Sequence, residues 1–97
     1  MALIRLIHIK VKPDEAAQAE RIWKEDCAPL MIRQKGCISE KLLKCADSPG
    51  EFISYAEWET QADIDRYRGS ADHKKIRSDA LQFSGAEAFS KVYNIVS

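Results

Sequence analysis

The chain has 97 residues, of which 45% are hydrophobic and 31% are charged, a composition typical of one small globular domain. Fifteen Lys and Arg balance fifteen Asp and Glu, so the formal net charge of zero argues against nucleic acid or an anionic membrane as a partner. The three cysteines form no CxxC pair, which argues against a disulfide framework or a zinc site and favours buried free thiols in a reducing compartment.

The first predicted strand covers residues 2–12 and is rich in Ile, Leu and Val. Its apolar part ends at Ile9, far short of the ~20 residues that span a bilayer, and no cleavage site follows, so we expect a cytoplasmic protein. Arg5 is unusual in such a strand, because a partly buried guanidinium group needs an acceptor. We expect Arg5 to form a structural ion pair, with a neighbour on the last of the four predicted strands or across a dimer. The alternative is that Arg5 binds an anionic substrate.

The first predicted helix follows Pro13 and Asp14, and Asp14 is its candidate cap. Apolar residues at spacings of three or four form one stripe on this helix: Ala16, Ala19, Trp23, Cys27 and Leu30. Pro29 has no backbone N–H, which predicts a kink or a break near Cys27, and the helical pattern ends at Gly36.

A β-hairpin is predicted next, with strands over 37–46 and 51–59 and a turn at Pro49-Gly50. Proline presets φ for such a turn, and glycine accepts a positive φ. Alternate residues of the second strand form one face, namely Phe52, Ser54, Ala56 and Trp58.

Two capped helices and a last strand complete the chain. Thr60 with Asp63 resembles a capping box, and Ser70 is the candidate cap of a second helix that ends at Leu81 or Phe83. Alternating residues over 88–96 predict the last strand. The order βαββαβ predicts an α+β, ferredoxin-like fold, with a four-stranded antiparallel sheet and helices on one face.

Four short motifs along the chain resemble the antibiotic biosynthesis monooxygenase (ABM) family. They are Lys35-Gly36-Cys37, Pro49-Gly50, Glu57-Trp58-Glu59-Thr60 and Ser70-Ala71-Asp72-His73. The resemblance implies a single domain over 1–97 and a homodimeric α+β barrel. In that barrel a second subunit covers the sheet face that is too apolar to be left in water.

For function, the resemblance implies a monooxygenase that uses no cofactor and no metal and acts on a quinol or another phenolic aromatic. Family members without known activity make a non-catalytic, small-ligand-binding or stress-response dimer the alternative, so enzyme activity stays open. A haem-binding or haem-degrading protein comes third. Relatives of that kind have a histidine one turn beyond the position of His73, a tryptophan at the position of Tyr67 and an asparagine near the position of Ile7. This chain departs from them at all three positions, and each departure argues against haem degradation.

Five residues are candidates for the site between sheet and helices. His73 would accept or relay a proton, and Tyr67 would orient a phenolic substrate through its hydroxyl. Trp58 would form a pocket wall, Asn94 would contact a substrate carbonyl, and His8 would face the pocket or the barrel interior. Structural roles compete with each assignment and are favoured for three of them: a helix-start histidine at His73, a core aromatic at Trp58 and a solvated strand end at His8.

Overall fold

The computed structural model describes residues 2–83 and 87–96. Its strands are β1 (Leu3–Lys10), β2 (Cys37–Lys44), β3 (Glu51–Trp58) and β4 (Glu87–Asn94). Its helices are α1 (Ala16–Ile22), α2 (Ala28–Ile32), α3 (Gln61–Arg68) and α4 (Ala71–Leu81), with a 3-10 turn at Pro13–Glu15 and a π-helical segment at Trp23–Cys27. The strands form one antiparallel sheet in the order β2-β3-β1-β4, which confirms the predicted ferredoxin-like α+β fold.

The first helix begins differently from the prediction. Pro13 starts a 3-10 turn after Lys12, so Asp14 lies inside that turn and makes no side-chain cap hydrogen bond. The predicted Asp14 cap is therefore wrong. Proline, with its fixed φ and missing N–H, suits the first position of a helical turn, and this moves the start one residue upstream of Asp14.

The disturbance predicted near Cys27 takes the form of the π-helical segment. The N–H of Ala28 donates to the carbonyl of Trp23, five residues back, and the chain then continues as α2 through Pro29. The helix is therefore widened and not broken. It ends at Ile32 and not at Gly36, whose positive φ of 87° belongs to the turn into β2.

The helix-facing side of the sheet holds the core. The predicted face of β3 is buried along its whole length, with Phe52, Ser54, Ala56 and Trp58 at most 4% exposed. Side chains from the helices pack on this face: Trp23, Cys27, Met31, Ile64, Tyr67 and Ile76. Burial of these apolar side chains supplies the main stabilisation of a chain this short.

The opposite face of the sheet is open, and large apolar side chains lie on it. Leu43, Phe89 and Tyr93 are each close to half exposed. The strand β4 is exposed on both faces, because the helices cover β1 and β3 and leave this edge strand uncovered. An apolar face of this size is characteristic of an association surface.

The cysteines only partly match the expectation of buried thiols. All three are free, but Cys27 alone is buried, whereas Cys37 is partly exposed and Cys45 is exposed at the end of the hairpin. Within 2–83 and 87–96, no helix has the length and apolar character needed to cross a membrane.

Candidate functional site

A cavity of about 280 Å³ opens between the helix-facing side of the sheet and the helices α3 and α4. Apolar side chains, among them Ile7, Trp23 and Ile76, form much of its lining beside several polar groups. The volume lies just below the ~300–1,000 Å³ of pockets for drug-sized ligands, so the cavity suits a small molecule.

Tyr67 reaches this cavity from α3. The helix begins at Thr60, whose Oγ1 accepts a hydrogen bond from the Asp63 N–H at 3.1 Å, which confirms the predicted cap. Tyr67 lies two turns further on the buried face, and burial raises the pKa of Tyr67 to about 12. Its neutral hydroxyl lies near the Arg5 guanidinium group and donates to no acceptor among the described residues, so it is free to donate to a ligand.

His73 reaches the same cavity from the first turn of α4. Ser70 caps that helix as predicted, because its Oγ accepts from the His73 N–H at 3.2 Å. The same hydroxyl donates to the Tyr67 carbonyl at 2.6 Å and so ties the two helices together. The imidazole meets the Tyr67 ring edge-on, with ring centroids 5.1 Å apart and 77° between the planes.

The surroundings favour the neutral form of the His73 imidazole. Burial, followed by the guanidinium charge of Arg5 and then by Arg77 and Arg68, lowers the pKa of His73 below its usual value. At physiological pH the ring therefore keeps one unprotonated nitrogen, which accepts a proton or a hydrogen bond.

Arg5 is the third polar side chain of the cavity, and sequence reasoning assigned it to a structural ion pair. Strand alternation directs it to the helix side, where it is 4% exposed and its guanidinium carbon lies 5.7 Å from the Tyr67 ring centroid. The residue opposite Arg5 on β4 is Val92, and no carboxylate of the described residues pairs with Arg5. The expected pair with a neighbouring strand is therefore wrong.

Trp58 lies one layer behind the cavity wall. It is fully buried, its ring lies against Tyr67 with centroids 5.3 Å apart, and it does not line the cavity. The structure thus gives it the position of a core aromatic that supports Tyr67. The tryptophan that does line the cavity is Trp23, whose Nε1 donates to the Glu40 carboxylate at 2.9 Å.

Asn94 and His8 lie away from Tyr67 and His73. Asn94 is exposed near the end of β4, opposite Leu3, whereas β4 lines the cavity at its other end. His8 points to the open face of the sheet, because it is an odd number of residues from Arg5 along β1. Its ring stacks on Phe89 with centroids 4.6 Å apart, beside a separate concavity of about 440 Å³.

Sequence reasoning missed the positive charge of the cavity. Arg68 and Arg77 are exposed residues of α3 and α4, and both line the cavity with Arg5. The sequence did contain one sign of this charge, namely Arg5 within the otherwise apolar first strand. No three His, Cys, Asp or Glu side chains in the described part of the chain are grouped as metal ligands.

The family model that matches this chain and several similar solved structures carry the same family description. A family model described as antibiotic biosynthesis monooxygenase matches residues 2–79 of the chain. A search of curated proteins finds no match. Among solved structures, a proposed antibiotic biosynthesis monooxygenase from Bordetella bronchiseptica is 22% identical, with a TM-score of 0.87 over 99% of this chain and 98% of that one.

Two further structures have the same fold. A proposed antibiotic biosynthesis monooxygenase from Nitrosomonas europaea is 18% identical, with a TM-score of 0.83 over 98% of this chain and 99% of that one. SnoaB from Streptomyces nogalater, described as a cofactor-independent oxygenase and solved as a point mutant, is 14% identical, with a TM-score of 0.84 over 99% of this chain and 94% of that one. At these low sequence identities, the structural similarity is evidence for the fold alone.

Proposed function

The chain belongs to the antibiotic biosynthesis monooxygenase family, and from this premise we propose that it is a cofactor-independent monooxygenase acting on a phenol or quinol in the cavity. The observation that carries the proposal is the contact between His73 and Tyr67 on one cavity wall, with the imidazole held neutral by its surroundings. A neutral base beside an unpartnered hydroxyl is the arrangement that removal of a phenolic proton requires.

The first step of the proposed reaction is removal of the phenolic proton by His73. The Tyr67 hydroxyl, which lacks a partner in the described residues, would donate a hydrogen bond to the substrate oxygen and orient it. Apolar side chains such as Ile7 and Ile76 would hold the aromatic ring and exclude water. The resulting phenolate is electron-rich and reacts with oxygen more readily than the neutral phenol does.

The oxidation balances without an added reductant. The substrate loses its O–H hydrogen and one ring C–H hydrogen, and that carbon gains one atom of O₂ as a carbonyl. The other oxygen atom leaves as water with the two hydrogens. All electrons therefore come from the substrate, and the protein's part is to bind, to orient and to move the proton.

A second function is favoured by the modest size of the cavity. At about 280 Å³ it lies just below the usual range for ligand sites, as expected of a non-catalytic dimer that holds only a small aromatic ligand. In that case Tyr67 and His73 would bind the ligand without turnover. Binding of a phenol with no oxygen uptake would favour this alternative.

We also propose that the chain acts as a single domain and a homodimer. The support is the open sheet face, where Leu43 and Tyr93 expose large apolar areas beside Phe89. A chain of 97 residues gains much from covering such a face. The partner surface would be the same face of a second copy.

Oxygen uptake by the purified protein tests the catalytic proposal. We expect 1,4-naphthohydroquinone or anthrone to consume oxygen faster with the protein than in matched buffer. One oxygen atom of the product should derive from ¹⁸O₂, as the new carbonyl of anthraquinone or the new hydroxyl of the hydroxynaphthoquinone. Heat-denatured protein is the control for autoxidation. Uptake at the buffer rate with both compounds would contradict the proposal for these substrate classes.

A further inference from the structure

The arginine at the floor of the cavity is buried in a charged form without an ionic partner. Arg5 is 4% exposed, and its Nη1 has no hydrogen-bond partner within the described residues. The guanidinium group stays protonated at any physiological pH, and burying it without a counter-charge is costly. Because this cost is retained in the fold, we expect the charge of Arg5 to bind a group of opposite charge.

The rest of the cavity reinforces that positive charge. Arg68 and Arg77 line it with Arg5, and no aspartate or glutamate of the described residues contributes to the lining. Asp72, the acidic residue next to His73, is held by a hydrogen-bonded ion pair with Arg33 at 2.9 Å. The cavity therefore favours a negatively charged group inside it.

The apolar lining limits the rest of the ligand. Ile7, Ile76 and Trp23 offer a ring-sized apolar surface beside the arginine. A small inorganic anion would leave this surface without contacts. A neutral phenol would fill it but would leave Arg5 unpaired in the resting complex, until the phenolic proton has been removed.

We propose that the natural ligand of this cavity is an aromatic carboxylate whose ionised group pairs with Arg5 while its ring packs against the apolar lining. The inference uses the same cavity as the proposed oxygenase and names the class of its substrate, a phenol that also carries a carboxylate. Arg5 is then a specificity-determining residue: a planar guanidinium forms two parallel hydrogen bonds with a carboxylate.

A pair of ligands that differ in one group tests this proposal. Isothermal titration calorimetry under argon compares 1-hydroxy-2-naphthoate with 1-naphthol. We expect the carboxylate to bind the wild-type protein about 10- to 100-fold more tightly, since a hydrogen bond to a charged group contributes on that scale. Equal affinity of the two compounds for the wild-type protein would by itself overturn the proposal.

The variant Arg5→Met removes the charge and keeps the volume, a replacement that buried ionic positions tolerate well. We expect Arg5→Met to lose the preference for the carboxylate, and Arg5→Lys to keep part of it. Arg21→Met, at an exposed arginine of α1 outside the cavity, is the matched control and should keep it in full. A preference that survives in folded Arg5→Met would overturn the assignment.

Oxygen uptake, measured separately, distinguishes this inference from the proposed function. Tight carboxylate binding without any oxygen uptake would overturn the oxygenase and support the ligand class. Oxygen uptake with the neutral phenol, without any preference for the carboxylate, would overturn the ligand class and support the oxygenase.

Discussion

The two faces of the sheet are built from the same strands, yet they differ sharply in exposure. On β3 the helix-facing residues Phe52, Ser54, Ala56 and Trp58 are at most 4% exposed, while the alternate residues on its open face are all partly exposed. On the edge strands, the open-face side chains of Leu43 and Tyr93 are 46% and 44% exposed. The buried face carries the cavity and its polar groups, and the open face carries exposed apolar side chains such as Leu43, Phe89 and Tyr93. The comparison teaches that strand alternation places the cavity on one side of the sheet and the exposed apolar side chains on the other, so the two proposed tasks, chemistry and association, can be tested separately.

The largest expected effect is on the rate at the helix-facing cavity. We predict that His73→Gln lowers oxygen uptake by about 10²- to 10⁴-fold while the protein stays folded, because a positioned base contributes on that scale. In the wild type the rate should rise with pH as His73 loses its proton, with a midpoint below the usual pKa of histidine, because burial lowers the pKa of His73.

His8→Gln on the open face is the matched control for that variant. His8 lies on the other side of the sheet, stacked on Phe89, so its replacement should leave the rate and its pH dependence unchanged. A similar loss of rate in His73→Gln and His8→Gln would contradict the proposal that the reaction takes place in the helix-facing cavity.

The second expected effect is on stability, and it contrasts two aromatic residues. Trp58→Ala removes a fully buried side chain behind Tyr67, and we predict a loss of about 3–5 kcal/mol in the free energy of unfolding. Tyr93→Ala, at a half-exposed position of the open face, should cost much less when both variants are made in a chain that Leu43→Asp keeps monomeric. Urea unfolding followed by circular dichroism measures both, and equal losses would contradict the comparison.

The third expected effect is on association. The wild-type protein should elute at about 22 kDa, twice the 11.0 kDa of one chain, and Leu43→Asp should shift the elution to that of a monomer. Ile32→Asp, at a residue of α2 with similar exposure on the helical side, should elute as the wild type does. A wild-type monomer at micromolar concentration would contradict the proposed dimer.

The smallest expected effect concerns the cap between the two helices of the cavity. Ser70→Ala should lower the free energy of unfolding by about 1 kcal/mol, since the Ser70 hydroxyl accepts from the His73 N–H and donates to the Tyr67 carbonyl. Ser70→Thr keeps the hydroxyl and should recover most of the loss. Thermal unfolding of the wild type, Ser70→Ala and Ser70→Thr measures these losses. Equal stability of the alanine and threonine variants would contradict the predicted contribution of the cap.

Local patterns in the sequence determined the order of elements and much of their chemistry. The alternation along β3 predicted its buried face, and the spacing from Thr60 to Asp63 and from Ser70 to His73 predicted two caps. These features depend on contacts within a few residues, where periodicity and side-chain hydrogen bonding decide the outcome. The Asp14 cap failed because Pro13 next to it started the helical turn first.

Only the tertiary structure decided which candidates meet. Arg5 is far in the chain from Tyr67 and His73, and the three share one cavity because the helices α3 and α4 pack on the side of the sheet that Arg5 faces. The same non-local packing placed Asn94 at an exposed strand end and His8 on the open face. A sequence specifies alternation within each strand, but which alternate face receives the helices depends on contacts between distant segments.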